Sequence, residues 1–307
     1  MKCFSLFSGI GGFDLALKRQ GHEIVGACEI DKYARSVYSR HFPEVPMWED
    51  ATKINPGELP DFEMLCGGFP CQAFSIAGKR FGFEESRGTL FFEIARIARE
   101  KRPGYIFLEN VKGLLSHDNQ RTIITILKTL DELGYDTEWQ VINSLNFVPQ
   151  NRERIYIIGH LREKPTRKVF PLLEVCEIDD RTFDKAQGKR EWVRSPYTRT
   201  INANYAKGGG NRTMIAWSKS TRDGGIIESR IKENEANTLN TGQGCRTMSS
   251  ATFIKEDMGY RQLTPLECER LQSFPDNWTD GLSDTQRYKC VGNAVTVSVI
   301  EYILSNF

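Results

Sequence analysis

Apolar and polar positions along residues 1–160 switch repeatedly between a period of two and a period near 3.6. Lys2–Phe7 reads as a strand that runs into glycines at 9, 11 and 12, and a helix follows through Lys18. Glu23–Glu29 predicts a second strand and Asp31–His41 a second helix. Met47-Trp48-Glu49 reads as a third strand ending at Asp50, and Met64–Cys66 and Tyr105–Leu108 as short buried ones. Between these two, Gly88–Lys101 puts Leu90, Ile94, Ile97 and Ala98 at helical spacing. Asp118 or Asn119 is placed to cap a helix with the apolar stripe Ile123, Ile124, Leu127 and Leu130, ended by Gly134. Glu138–Leu145 and Arg154–Gly159 complete the series. Strands alternating with helices predict an α/β fold with a doubly wound, parallel sheet.

After Leu161 this rhythm stops. Residues 175–260 are rich in Gly, Asn, Thr and Arg. A weak repeat appears there: Arg199-Thr200-Ile201-Asn202 and Arg212-Thr213-Met214 match Asn237-Thr238-Leu239-Asn240 and Arg246-Thr247-Met248, as two hairpin-like units would. Order returns at Thr264-Pro265-Leu266-Glu267, a capping box with proline at the first helical position, and Pro275 stops that helix. Tyr288–Phe307 is apolar enough to pack back on the first domain. The expected organisation is a discontinuous large domain, 1–172 and 280–307. A smaller, mostly irregular or β module, 173–279, is inserted through a hinge.

Charge sharpens that division. The net charge of +1 conceals 14 Lys or Arg against 6 Asp or Glu between Arg181 and Lys255, a surplus of +8 that leaves −7 on the rest. A basic module on an acidic body suits a polyanion, although a solvated lysine-rich surface would look similar. With 307 residues and 39% hydrophobic content, a packed globular protein is expected. No apolar run approaches the roughly 18 residues of a membrane span. The N-terminus resembles a signal peptide only until Gly9, Gly11, Gly12 and Asp14, so a cytoplasmic protein is expected. The eight cysteines contain no Cys-x-x-Cys pair and the four histidines are scattered, which predicts reduced thiols and no metal. A monomer is the default, because no spare amphipathic face is evident.

Candidate chemistry lies where strands end. Gly67-Gly68-Phe69-Pro70-Cys71-Gln72 places a cysteine on a proline-stiffened corner after a buried strand, which suits a nucleophile or an ordinary turn equally. Leu108-Glu109-Asn110-Val111 follows an apolar run. A carboxyl there is partly desolvated, which favours holding a proton near neutral pH; pairing with a structural arginine is the competing use. No histidine accompanies either motif. Thiol plus acid suits addition to an electron-poor ring better than hydrolysis. Phe7-Ser8-Gly9-Ile10-Gly11-Gly12-Phe13 resembles a nucleotide-binding turn without the full glycine pattern. Glu29, 20 residues beyond Gly9, could take ribose hydroxyls, and Asp50 ends the next strand. Each acid alone could equally be a helix cap or loop charge.

Six segments in this order closely resemble the cytosine-5 DNA methyltransferases of bacterial restriction-modification type: Phe7–Phe13, Gly67–Gln72, Glu109–Val111, Gln150-Asn151-Arg152-Glu153-Arg154, Arg261–Arg270 and Val291-Gly292-Asn293-Ala294-Val295. The resemblance spans nearly the whole chain. It implies a Rossmann-like methyltransferase sheet with an inserted target-recognition domain, and almost nothing before the first motif. It implies that Cys71 adds to cytosine C6, that Glu109 contacts N3 and the exocyclic amine, and that Arg154 holds the O2 side with Arg152 nearby. Because Arg152 and Arg154 alternate into a strand, both are expected on one side. The implied methyl donor is S-adenosylmethionine, with no metal. It would be held by Phe7, Ser8, Gly9, Ile10, Gly11, Gly12, Glu29, Ile30, Asp50, Ala51, Pro70, Leu90, Asn293 and Val295. The implied partner is double-stranded DNA, with a flipped cytosine, and a cognate restriction endonuclease is a further candidate partner. The DNA contacts would be Gln72, Ser75, Lys79, Arg80, Arg87, Thr238, Leu239, Gln243 and Arg246, with residues 72–90 as a closing lid. An RNA cytosine methyltransferase and a DNA-binding relative without chemistry are the alternatives. A nicotinamide-dependent oxidoreductase fits only the glycine turn.

Overall fold

The computed structural model describes residues 1–70, 90–170 and 263–307, with the backbone of short strands at 214–216, 232–233, 236–237, 252–256 and 259–262. Among the described residues, eight strands precede the inserted region: β1 Lys2–Leu6, β2 Glu23–Cys28, β3 Met47–Trp48, β4 Met64–Gly68, β5 Tyr105–Val111, β6 Tyr135–Asn143, β7 Gln150–Asn151 and β8 Glu153–Leu161. The helices are α1 Gly12–Arg19, α2 Lys32–His41, α3 Leu90–Lys101, α4 Arg121–Glu132, α5 Pro265–Leu271, α6 Asp284–Asn293 and α7 Val297–Leu304. Seven strands form one sheet in the order β3-β2-β1-β4-β5-β8-β6.

The sheet is mixed rather than parallel throughout, because β8 runs antiparallel to both β5 and β6. The cause is chain length. Only residues 144–152 separate β6 from β8, too few for the dozen or more that a parallel crossover needs, so the two strands pair as a return. Two buried clusters cover the faces. One holds Phe13, Leu17, Val37 and Tyr38 with Val297, Ile300 and Ile303 of α7; the other holds Phe91, Ile94, Ile97, Ile126 and Leu130.

The C-terminal segment does return to the first domain. The capping box at Thr264 forms, with the Glu267 N–H donating to Thr264 Oγ1 at 3.3 Å and the Thr264 N–H to Glu267 Oε2 at 2.8 Å. Leu263, Cys268, Leu271, Phe274 and Trp278, sequence-assigned to the 173–279 module, are buried in the same cluster as Ile10 and Phe13. Within the inserted region the described strands Met214–Ala216, Lys232–Glu233, Thr252–Glu256 and Gly259–Gln262 form a four-stranded sheet. Most of the two repeat units lies outside the described residues.

The entry to α4 differs from expectation. Neither Asp118 nor Asn119 caps it. Asp118, Asn119 and Gln120 take φ of 46°, 51° and 70°, and Gln120 is the N-cap, without a side-chain cap bond. The helix is therefore rotated by one position: Ile123, Ile126 and Leu130 are buried, while Ile124 is exposed. Asparagine and aspartate tolerate left-handed backbone; glutamine does so at a cost of about 1–2 kcal/mol. Gln120→Gly is expected to stabilise the fold by roughly 0.5–1 kcal/mol, net of the entropy glycine loses. Chemical denaturation checks this, and a fall in stability would refute the strain.

Asp14, in the first turn of α1, is fully buried and accepts from the Ser5 hydroxyl at 3.0 Å and the Tyr38 hydroxyl at 2.9 Å. Burial pushes its carboxyl up to about 6, against the pull of those two hydrogen bonds. An unfolded aspartate titrates near 3.9, so between about 4 and 6 the native state binds more protons than the unfolded one. Stability falls as pH rises through that window, and the deficit, on the order of 3 kcal/mol, is complete above it. Asp14→Asn is expected to raise the melting temperature at pH 7.5 relative to wild type much more than at pH 4. Equal shifts in thermal scans at both pH values would overturn this account.

Candidate active site

The loop that carries Cys71 is set up by residues before it. At Gly67 a Cβ would lie 2.0 Å from the Leu6 carbonyl oxygen at the end of β1, so only glycine lets the two strand ends approach. Gly68 is the register partner of Glu109 on β5, and a Cβ there would lie 3.0 Å from Glu109 Oε2. Phe69 is buried against Phe91. Its carbonyl accepts from Asn110 Nδ2 at 2.9 Å, which ties the peptide leading to Pro70 and Cys71 directly to the Glu109 strand.

Glu109 is 8% exposed and pairs with Arg154, whose Nε lies 3.1 Å from Glu109 Oε1. The antiparallel register opposes Val111 to Arg154, so the start of β8 delivers the guanidinium to the end of β5. A half-buried, planar donor beside a carboxylate fixes both side chains, and the two could together hold one edge of a flat, hydrogen-bonding ring.

Arg152 goes elsewhere. It sits in the break between β7 and β8, near enough to Arg154 and Glu109 to feel both charges. Its guanidinium is buried and donates to the carbonyls of Ala294 at 2.8 Å and Gly292 at 3.5 Å. Burial first, and the Arg154 charge second, push it down to about 10. Arg152 thus holds the Val291–Val295 segment against the strand that carries Arg154.

That segment closes on the glycine turn. Val295 Cγ2 lies 2.7 Å from where a Gly12 Cβ would be, so a methyl on residue 12 would displace it. Gly11 has φ +85° and packs on the Phe42 ring. Gly9 also takes positive φ, +55°, with nothing within 4 Å of its Cβ position, so the turn is open on that side. Glu29 bridges the turn to β2: Oε2 accepts from the Gly9 N–H at 2.8 Å and Oε1 from the Asp31 N–H at 2.7 Å. Burial raises its carboxyl, while these two bonds oppose the rise. Asp50 accepts from the Thr52 side chain at 2.7 Å and the Thr52 N–H at 3.0 Å, which hold its carboxyl below the ordinary value.

A cleft of about 380 Å³ lies beside Asp50, lined by Ile30, Arg35, Trp48, Glu49, Asp50 and Lys53. Ile30 is 72% exposed there, as an apolar wall would be. Of the sequence-predicted residues, Phe7, Ser8, Gly9, Ile10, Gly11, Gly12, Glu29, Ile30, Asp50 and Ala51 gather at the ends of β1, β2 and β3, with Val295 against the turn. Asn293 is exposed at the end of α6, Pro70 is exposed, and Leu90 begins α3. Cys71, Gln72, Ser75, Lys79, Arg80, Arg87, Thr238, Leu239, Gln243 and Arg246 lie outside the described residues, as does nearly all of the expected lid. The strand Ala236–Asn237, just before Thr238, pairs in parallel with Gln150-Asn151.

Sequence reasoning missed Asn110, Arg35 and Trp48. Asn110 was in view inside the Glu-Asn-Val motif, and a polar residue beside a buried glutamate was its signal. Arg35 donates to the carbonyls of Glu29 at 3.0 Å and Ile30 at 2.7 Å, contacts that no helical pattern discloses. Among the described residues no cluster of His, Cys, Asp and Glu could hold a metal ion, and no helix is long and apolar enough to cross a membrane.

Comparison with known proteins adds an independent line. The profile of a family described as "C-5 cytosine-specific DNA methylase" matches residues 1–307. The Type II methyltransferase M.HhaI of Haemophilus parahaemolyticus is 38% identical, over 100% of this chain and 94% of that protein. The Type II methyltransferase M.HpaII of Haemophilus parainfluenzae is 37% identical, over 96% of this chain and 86% of that protein. Among solved structures, S. pombe Dnmt2 methyltransferase aligns with a TM-score of 0.65 at 19% identity, covering 99% of this chain and 97% of that one. A putative DNA modification methyltransferase encoded within an E. coli prophage aligns with a TM-score of 0.62 at 20% identity, covering 100% and 98%. These last two likenesses speak for the fold alone.

Proposed function

We propose, from the premise that this chain belongs to the C-5 cytosine-specific DNA methylase family, how its own residues carry out methylation of cytosine at C5 in DNA. The chain is a DNA cytosine-5 methyltransferase. The observation that carries the mechanism is the pairing of buried Glu109 with half-buried Arg154, 3.1 Å apart, tied through Asn110 to the peptide before Pro70 and Cys71.

A cytosine flipped out of duplex DNA sets one edge against both Glu109 and Arg154. Glu109 hydrogen-bonds to N3 and the exocyclic amine, and Arg154 donates to the O2 side. The Cys71 thiolate forms a bond to C6. The electron pair of the C5–C6 double bond moves toward C5 and N3, where Glu109, in its carboxylic acid form once the base is bound, gives a proton that neutralises the ring. C5 is then nucleophilic and takes a methyl group. A base removes the C5 proton, the C5–C6 double bond re-forms as the sulfur leaves as thiolate, and N3 returns its proton to Glu109.

The residues around the cleft suit S-adenosylmethionine as methyl donor. Glu29 spends one lone pair of each oxygen on a backbone N–H, and each keeps another for a ribose hydroxyl. Gly9 is open to a ligand, and Trp48 and Ile30 offer apolar surface to an adenine. When bound, that donor supplies an electrophilic methyl on a sulfonium. The chain's part is to orient it: Asp50 would accept from the adenine amine, and Asn293 and Val295 would close the pocket.

The basic stretch between Arg181 and Lys255, within the 173–279 module, grips DNA phosphates and reads bases. The recognition site is a specific short sequence, and the chain acts as a monomer. Incubation with labelled S-adenosylmethionine and either duplex DNA or tRNA tests the reading. Label is expected in DNA as 5-methylcytosine. Label in tRNA alone, or in neither, overturns it.

A further inference from the structure

The glycine turn is held from behind by a residue far away in sequence. Trp278, between α5 and α6, is 6% exposed, and its indole Nε1–H donates to the Ile10 carbonyl at 2.8 Å. Ile10 itself is 1% exposed. Its carbonyl belongs to the peptide that joins it to Gly11, whose N–H donates back to the Ser8 carbonyl at 2.9 Å and whose φ is +85°. Fixing that carbonyl fixes the plane of the peptide, and with it the direction in which the turn presents its other N–H groups.

Trp278 is itself held with more contacts than packing requires. His41 stacks flat on the indole, with ring centroids 3.5 Å apart and planes 6° from parallel. The ring nitrogen Nε2 of His41 lies 2.8 Å from the Trp278 carbonyl, and Arg40 Nη2 donates to the same oxygen at 2.6 Å. Phe42 and Phe274 meet the indole edge-on and tilted, with centroids at 6.1 and 5.4 Å. The end of α2 therefore grips the backbone while the indole reaches the turn. Glu29 pins the turn at the Gly9 N–H and Trp278 pins it one residue on, at the Ile10 carbonyl.

We propose that Trp278 is a positioning residue for methyl-donor binding: it preorganises the Phe7–Gly12 turn through the Ile10 carbonyl without touching the donor. The proposal rests on the reading of this turn as the donor site. A preorganised turn saves the ordering cost that binding would otherwise carry, so its loss appears in donor affinity rather than in the chemical step. It places a determinant of donor binding in a segment whose sequence shows only an aromatic after a proline turn.

Trp278→Phe keeps an aromatic ring over His41 and removes the N–H. Donor affinity is measured by calorimetry with S-adenosylhomocysteine, alongside KM for the donor, kcat at saturating donor, duplex-DNA affinity and melting temperature. The expected result is a dissociation constant and KM raised about tenfold, the scale of one buried hydrogen bond left unmade, with kcat and DNA affinity within twofold of wild type. His41→Phe, which keeps a stacked ring but loses the Nε2 contact, is expected to shift donor affinity in the same direction by a smaller factor. It also serves if Trp278→Phe does not fold. A lowered melting temperature with unchanged donor affinity in both variants makes Trp278 a packing residue and overturns the proposal. Failure of the wild-type protein to bind S-adenosylhomocysteine overturns the donor-site reading itself, and this inference with it.

Discussion

Replacing Cys71 by serine is expected to abolish methyl transfer while leaving DNA and donor binding nearly intact. The change exchanges one atom, so neither shape nor burial alters much. What changes is the nucleophile. A thiol is a few per cent ionised at neutral pH and intrinsically reactive, whereas a serine hydroxyl needs an adjacent base, and neither the Gly67–Gln72 nor the Glu109–Val111 motif supplies a histidine. Without addition to C6, C5 never becomes electron-rich, and the loss in kcat is expected to be at least about 10³-fold. No described cysteine can substitute. Cys3, Cys28, Cys66, Cys268 and Cys290 are all buried, and burial raises every one of their thiols, which suppresses the thiolate. Label incorporation into DNA measures the loss, and gel-shift and calorimetric titrations measure the two affinities. Activity within tenfold of wild type would remove Cys71 from the mechanism.

The parts legible in the chain were those encoded locally. The strand–glycine–helix entry, the 20-residue spacing to Glu29 and the Thr264 capping box each depend on a few neighbouring residues, and each appears in the structure where its pattern falls. The six ordered motifs added what no single segment could, because order along the whole chain excludes coincidence. Misreadings came from longer range. The reversal of β8 follows from the length of its connection rather than from the apolar pattern of Arg154–Gly159, which suits either direction. The rotation of α4 follows from three left-handed residues that resemble an ordinary cap in sequence. Arg152 and Arg154 look equivalent two positions apart, yet one holds the carbonyls of Gly292 and Ala294 and the other meets Glu109. Asn110 on Phe69 and Trp278 on Ile10 join residues 41 and 268 positions apart, beyond any local pattern.

Glu109→Gln is the sharper test of the chemistry, because it separates holding the base from protonating it. Glutamine is isosteric and can still hydrogen-bond to the exocyclic amine and N3, so KM for DNA should change little. It cannot deliver a proton to N3, and loss of a general acid lowers kcat by roughly 10²–10⁴-fold. Arg154→Ala should be comparably damaging for a different reason: it removes the donor to O2 and leaves the Glu109 carboxylate, only 8% exposed, without its ion-pair partner. Because the two groups touch at 3.1 Å and act on one ring, their effects should not add. The double variant is expected to lose little more than the worse single variant, since once either group is gone the other has no correctly placed ring to act on. Single-turnover rates on saturating DNA measure all three. Gly68→Ala supplies an orthogonal check, because its Cβ would lie 3.0 Å from Glu109 Oε2 and displace a carboxylate that remains chemically intact. A purely electrostatic role for Glu109 would survive that displacement; a proton delivered along a fixed line to N3 would not, and kcat should fall by about tenfold or more. Additive losses in the double variant, together with full activity in Gly68→Ala, would separate Glu109 and Arg154 into independent surface contacts and end the account of them as one site.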